Sequence, residues 1–152
     1  MRTLLFVIAM LAPSLALAAN NVTLSSAVFI EKTVADASGH SRIVLEEPKA
    51  VTPGDQLVFI LNYQNVGNAP TSDFIVTNPL PAAVAYLGSG DSAQVSIDGG
   101  QSWGTLPALK VREAGGRWRN ARPEDVTHVR WALKQTVAAG AQGKLSFRGI
   151  VR

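Results

Sequence analysis

Four side chains between residues 115 and 123 have the types that are needed to bind an anion. The stretch reads "GGRWRNARP" and places Arg117, Arg119 and Arg122 around Trp118. Guanidinium groups pair with carboxylate or phosphate through charge-assisted hydrogen bonds, and an indole ring offers a stacking face. The loop 115–123 is therefore a candidate site for an anionic polysaccharide. The same residues also fit a solvated hairpin whose cationic side chains keep the protein soluble.

A second stretch, "SIDGGQSW" at residues 96–103, has the letters of a hairpin found in sugar hydrolases. It matches S-x-D-x-G-x-[ST]-W and resembles the Asp-box of sialidase-type β-propellers. A propeller needs at least four blades of about 40 residues each, which is more than this chain of 152 residues holds. The sialidase reaction also uses a Tyr nucleophile, and neither Tyr63 nor Tyr86 lies near a recognisable acid–base pair.

We therefore interpret these residues as a structural turn. Glycine tolerates a positive φ angle and an aspartate side chain bonds its own backbone, so Asp98, Gly99 and Gly100 suit a tight hairpin. Trp103 is expected to pack back across that hairpin.

No other group of residues has the composition of a catalytic or metal centre. The chain contains no cysteine and two histidines, whereas a structural zinc site needs four His or Cys ligands. Asp91 and Asp98 lack the dense spacing of calcium loops. No serine occupies a G-x-S-x-G turn. The sequence predicts a protein that is not an enzyme and has no cofactor and no metal, and we expect no nucleic acid partner.

Short strands must position these residues, because β-branched and aromatic residues recur in stretches that Gly, Pro, Asn and Asp interrupt. Residues 56–67 carry large apolar side chains on both faces, which predicts a central strand. Residues 123–134 begin with Pro and two acids but then alternate, which predicts a strand entered through a short turn. Seven to nine such strands predict an all-β fold, an immunoglobulin-like two-sheet sandwich, with a closed barrel as the alternative.

One series of turn and strand residues follows a recognisable order. It runs from a P-G-D turn through an aromatic strand and an N-x-G pair to an N-P-L-P break before a tyrosine: Pro53, Gly54, Asp55, Phe59, Tyr63, Asn65, Gly67, Asn78, Pro79, Leu80, Pro81 and Tyr86. The chain resembles the bacterial conserved-repeat family known as domain of unknown function eleven, as a single-copy exported member. Many relatives have Asp where Asn78 stands. The resemblance implies an immunoglobulin-like domain of exported or surface proteins without a known catalytic centre.

The residues of this series also have direct physical roles. Asn65 and Gly67 suit the end of a strand, where an Asn side chain and a glycine accept turn geometry. Pro79 and Pro81 interrupt sheet pairing, which lets the chain cross between two sheets.

The first residues have the pattern of an export signal. Arg2 precedes an apolar run, and a small-residue Ala-Leu-Ala site ends at Ala18. We predict that residues 1–18 are a cleaved signal peptide and that residues 19–152 form one immunoglobulin-like domain. No transmembrane segment is expected after cleavage, since no second long apolar run follows. The predicted location is extracellular or at the cell surface, with the periplasm as an alternative.

Charge and chain ends bear on the partner. Residues 19–99 hold three basic and eight acidic residues, and residues 100–152 hold ten basic and three acidic ones. Such asymmetry favours association between opposite faces. Residues 22–34 and 144–151 read as strands, which either complete this domain's own sheets or pair with another subunit. We expect a structural or adhesive module whose partners are other protein subunits, including itself; a glycan-binding module is the alternative.

Overall fold

The computed structural model describes residues 21–90 and 92–152, and they confirm the predicted all-β class. The predicted signal peptide, residues 1–18, lies outside the described residues, as does Asp91. The strands are β1 (Val22–Ala35), β2 (Ser41–Glu46), β3 (Gln56–Asn65), β4 (Phe74–Pro79), β5 (Val84–Ser89), β6 (Gln94–Ser96), β7 (Lys110–Arg112), β8 (Trp118–Asn120), β9 (His128–Leu133) and β10 (Gln142–Val151). Two short 3-10 turns cover Leu106–Ala108 and Pro123–Asp125.

The described residues contain ten strands, where the sequence predicted seven to nine. The additional strand is β8, which lies inside the predicted basic loop. It forms because Gly116 adopts a φ of +80° and closes a tight turn, in which the Glu113 amide donates to the Arg117 carbonyl at 2.8 Å. Three residues are too few to show an alternation in the sequence.

The strands form antiparallel sheets. The order is β2-β1-β3-β10-β5 in a five-stranded sheet and β4-β9-β6 in a three-stranded sheet, while β7 and β8 pair with each other. Strand β3 is the central strand of the larger sheet, as predicted. Its position explains why neighbouring residues Leu57, Val58 and Phe59, whose side chains alternate between the two faces, are all buried.

The chain crosses between the two sheets at the predicted prolines. Pro79 ends β4 in the smaller sheet and Val84 begins β5 in the larger one. Proline has no N–H to donate to a ladder, so pairing stops there. Between them the Leu80 amide donates to the Thr127 carbonyl at 2.8 Å, which holds the crossing segment against the smaller sheet.

Side chains of both sheets meet in one core. Phe59 and Phe147 of the larger sheet stack at 4.4 Å between ring centres, and Trp131 of the smaller sheet lies 6.0 Å from Phe147. The buried members of this core are Ile30, Leu57, Phe59, Leu61, Val76, Leu80, Val84, Val95, Val126, Val129, Trp131, Leu145, Phe147 and Val151. Each large side chain contributes about 1.5–3 kcal/mol through burial.

The larger sheet is uneven in width. Strand β2 pairs only with Ile30–Ala35 of β1, and β5 pairs only with Phe147–Val151 of β10. Within the described residues, no strand covers the outer side of β1 at 22–29 or of β10 at 142–146. These two segments are called the open edges below. In the opposite direction the β1–β2 hairpin extends past the first residue of β3, Gln56, and residues 30–47 are called the hairpin arm.

Asn65 joins the end of β3 to two other segments. It is 1 % exposed, and its Nδ2 donates to the carbonyls of Ala69 at 2.9 Å and Val137 at 3.0 Å. Its Oδ1 accepts from the Gly67 amide at 3.0 Å. A Cβ atom at Gly67 would lie 3.1 Å from that same Oδ1 and from Cβ of Asn21, so glycine fits closely here.

We expect Asn65→Ala to lower the free energy of unfolding by about 3 kcal/mol, because two carbonyls and one amide lose their partner in a buried place. Chemical denaturation of both proteins measures the difference. Asn62→Ala, an exposed position on the same strand, is the control and should change stability by less than about 0.5 kcal/mol. Equal losses in the two variants would contradict the role of Asn65.

Candidate functional site

The Asp-box residues form a hydrogen-bonded hairpin centred on one carboxylate. Asp98 Oδ1 accepts from Ser96 Oγ at 2.7 Å and from the amides of Gln101 at 3.0 Å and Ser102 at 2.9 Å. Its Oδ2 accepts from Ser102 Oγ at 2.5 Å. The hydroxyl of Ser102, followed by its amide and the hydroxyl of Ser96, holds the pKa of Asp98 well below its ordinary value. A carboxylate held ionised and occupied in this way is poorly suited to exchange protons with a substrate.

The two glycines complete the turn. Gly99 and Gly100 have φ angles of +78° and +90°, which side chains disfavour. The Gly100 amide donates to Ser96 Oγ at 2.8 Å, and the Gly99 amide donates to Thr127 Oγ1 at 3.1 Å. The ring of Trp103 folds back over the turn, since a Cβ atom at Gly100 would lie 3.5 Å from it. The structure thus brings the four predicted turn residues together.

Trp103 also contacts the smaller sheet. The Arg130 guanidinium lies 4.3 Å from its ring centre, and the ring of His128 meets it edge-on at 6.4 Å. Arg130 Nη2 donates to Gln94 Oε1 at 2.6 Å. A cation–π contact of this kind occupies one face of the indole, so this face is not open to a sugar. Sequence reasoning missed Arg130, since no motif connects it with residue 103.

The four residues of the predicted anion site do not act as one group. Arg119 turns towards Asp125, and its two terminal nitrogens reach the two carboxylate oxygens at 2.6 and 2.7 Å. Its Nε also lies 3.5 Å from Glu113 Oε1. This bidentate pair, together with the Arg122 amide that donates to Asp125 at 2.7 Å, lowers the pKa of the Asp125 carboxyl. Arg119 therefore holds the β7–β8 hairpin against the 3-10 turn that contains Asp125.

The remaining residues of that site face solvent. Trp118 is 64 % exposed, and Arg117 and Arg122 are exposed as well. The guanidinium of Arg112, opposite Trp118 on β7, lies 6.0 Å from its ring centre. The cross-strand pair of Arg112 and Trp118 is thus available to a ligand, with Arg117 next to it in the chain.

A cleft opens between the two sheets near the end of β3, and it is called the inter-sheet cleft below. Its volume is about 1260 Å³. Apolar and aromatic wall residues include Tyr63, Ala93, Trp131, Leu133, Val137 and Leu145, and polar ones include Gln94, Thr105, Lys134, Gln135 and Gln142. The indole N–H of Trp131 is buried without a hydrogen-bond partner in the described part of the chain. Such an unpaired donor is costly.

Two incomplete strand edges border this cleft. On the larger sheet the open edge of β10, residues 142–146, provides Gln142 and Leu145 to the wall. On the smaller sheet β6 pairs only with His128–Arg130, so the end of β9, residues 131–133, has no neighbour on that side within residues 21–90 and 92–152. No sequence pattern indicates the cleft, because its position depends on where strand pairing stops.

Asp98→Ala should lower the melting temperature, because four donors lose their acceptor at once. The folded-state pKa of Asp98 is depressed, so its stabilisation is complete above the ordinary carboxyl pKa of about 4 and is lost as the pH falls below it. The difference in melting temperature between wild type and Asp98→Ala should therefore shrink on going from pH 6 to pH 2. Glu47→Ala, which removes an exposed carboxylate elsewhere, is the control. A pH-independent difference would contradict this account.

No family model, curated protein or solved structure matches this chain at a significant level. Among the described residues, no helix is long and apolar enough to cross a membrane. Nor does the described part of the chain hold three His, Cys, Asp or Glu side chains grouped closely enough for a metal ion. The surfaces that can carry a function are the open edges, the inter-sheet cleft and the β7–β8 hairpin with its exposed arginines, which is called the basic hairpin below.

Proposed function

We propose that the protein is an exported, non-enzymatic structural or adhesive module of the bacterial envelope or cell surface. In this proposal it associates with other protein subunits, including copies of itself, through its terminal strands. One observation carries it: each terminal strand has an open edge along half of its length, at residues 22–29 of β1 and 142–146 of β10.

An open edge presents N–H and C=O groups to which another strand can add. On β10 the Ser146 carbonyl already accepts from Ser89 Oγ at 2.8 Å, so the groups at 142–145 are the ones that remain for pairing. Folded proteins usually protect such edges with charged residues or proline. Residues 22–29 read "VTLSSAVF" and contain neither, and residues 142–146 contain one charged residue, Lys144. The open edge of β1 thus lacks the features that prevent association, whereas the edge of β10 has one of them, Lys144.

The charge distribution supports the same function. The acidic residues concentrate in residues 19–99 and the basic ones in residues 100–152. Attraction between oppositely charged segments can bring copies together, and a contact between two different surfaces can repeat from copy to copy. Salt screens this attraction beyond about 8 Å, so it guides the encounter and strand pairing holds the product.

The proposal includes an immunoglobulin-like two-sheet sandwich in residues 19–152 and export by a signal peptide in residues 1–18. Two sheets that share one core, and a chain crossing at Pro79 and Pro81, support the sandwich. The P-G-D residues on which the family resemblance rests form a tight turn. Gly54 in the P-G-D turn has a φ of +96°, and Asp55 Oδ2 accepts from the Thr52 amide at 2.7 Å.

A second candidate function is binding of an anionic polysaccharide by the basic hairpin. The observation that favours it is the exposed pair of Trp118 and Arg112, with Arg117 and Arg122 also open to solvent. A stacking face beside unpaired cations suits a sugar ring that carries carboxylate or sulfate groups.

Sedimentation tests the first function. We expect a chain beginning at Ala19 to form species larger than a monomer as its concentration rises, because the edges pair between copies. Added salt should slow this assembly without dissolving what has formed, since salt weakens only the encounter. A strict monomer up to about 100 μM, well above the dissociation constants of micromolar interfaces, would contradict the proposal.

Heparin chromatography tests the second function. Arg117→Ser combined with Arg122→Ser should weaken retention and reduce the slope of log affinity against log salt by about two, one for each cation removed. The control is Arg42→Ser with Lys49→Ser. It removes two exposed cations outside the β7–β8 hairpin and should change retention less. If the unmodified protein is not retained at low salt, the polysaccharide function is excluded.

A further inference from the structure

We propose that the hairpin arm of one copy docks in the inter-sheet cleft of the next. The β2 strand of the first copy would lie beside the open edge of β10 in the second, so that copies join head to tail. This inference rests on the proposed function of self-association, and it names the two surfaces that meet.

The acceptor surface is the cleft between two strand edges that end early. Its volume of about 1260 Å³ is large enough to admit a stretch of polypeptide. The open edge of β10 supplies backbone groups for strand pairing, and Tyr63, Leu133 and Leu145 supply an apolar floor.

The donor surface is strand β2. It pairs with β1 on one side, and no described strand covers its other side. Ile43 is 61 % exposed and Leu45 is 44 % exposed, and residues two apart in a strand share one face. The strand is six residues long, and the open edge of β10 spans five residues, 142–146. A strand of this length with apolar side chains on one face matches both the edge and the apolar wall.

Donor and acceptor lie on opposite sides of the molecule. In the order β2-β1-β3-β10-β5, β2 is one edge of the larger sheet, and the open part of β10 belongs to the other side, where β5 ends. A contact between two different surfaces that leaves one free donor and one free acceptor can continue indefinitely. The larger sheet would then run on from copy to copy.

Charge favours this pair of surfaces. Lys134 lines the cleft and Lys144 lies on the open edge of β10, and no carboxylate of the described residues belongs to the cleft lining. The hairpin arm, residues 30–47, contains four acidic and two basic residues; Glu31 pairs with Arg148 and Glu46 with Lys32, and Asp36 and Glu47 remain against Arg42. Like charges therefore oppose contact between two clefts, and opposite charges favour contact between an arm and a cleft.

The test replaces the two exposed apolar side chains of the arm. Ile43→Ser with Leu45→Ser, the arm variant, should raise the concentration needed for assembly at least tenfold, because the docked strand loses its apolar contacts. Val66→Ser with Ile75→Ser is the matched control, since Val66 is 56 % and Ile75 is 58 % exposed and neither belongs to the arm or the cleft wall. Circular dichroism and melting temperature show that both variants fold.

A mixing experiment tests the polarity of the contact. The arm variant keeps its cleft, so it can accept an arm from wild type but cannot extend the chain. Added to wild type, it should shorten the assemblies in proportion to its share, whereas the control variant should join them without shortening. A synthetic peptide of residues 41–47, "SRIVLEE", should also block growth, and the same peptide with Ser at the Ile43 and Leu45 positions should not.

The outcomes separate the two proposals. If wild type is a monomer at all concentrations, self-association and docking both fail. If wild type assembles and the arm variant assembles equally well, or the peptide has no effect, docking of the arm is overturned while self-association stands. Binding of a small molecule in the cleft that leaves assembly unchanged would likewise overturn docking of the arm.

Discussion

Strand β3 pairs with β1 on one side and with β10 on the other, through residues Gln56–Asn65. Every other part of the fold is held relative to these three strands. The rings of Phe59 on β3 and Phe147 on β10 stack in the core. At the end of β3, Asn65 forms hydrogen bonds with the loops beside it. Because the chain has no cysteine, pairing and packing must supply all of this stability. The first and last strands described, β1 and β10, are therefore joined through β3.

The lengths of the strands explain why the sheet has open edges. Strand β3 has ten residues, whereas β2 and β5 on the flanks have six each. Short flanking strands cannot cover a long centre, so one end of the sheet is five strands wide and the other is three. In the smaller sheet, too, a short strand lies beside a longer one, since β6 has three residues and β9 has six. The inter-sheet cleft lies where β10 of the larger sheet and β9 of the smaller sheet both lack a described neighbouring strand on one side.

The sequence predicted those features that depend on local patterns. Apolar residues on both faces of β3 predicted a central strand, alternation predicted β9 over a helix, and the prolines near residue 80 predicted the crossing. The features that escaped prediction are contacts between particular side chains. Arg119 binds Asp125, and Arg130 covers Trp103, yet neither contact has a signature in the spacing. Periodicity shows which side chains share a face, but not how far two strands pair.

The distinction between a motif and its chemistry is clearest at Asp98. The pattern of residues 96–103 is intact, yet the side chains of Ser96, Asp98 and Ser102 form hydrogen bonds within the turn, and the ring of Trp103 packs against Arg130. A hydrogen-bonded turn of this kind fixes where β6 ends, since Thr127 binds both Ser96 and Gly99. At its other end β6 begins at Gln94, opposite Arg130, and this start decides how much of β9 stays uncovered. The motif that resembles a hydrolase hairpin thus holds one end of the β6–β9 ladder, whereas the cleft in which we place the contact between subunits opens at the opposite end.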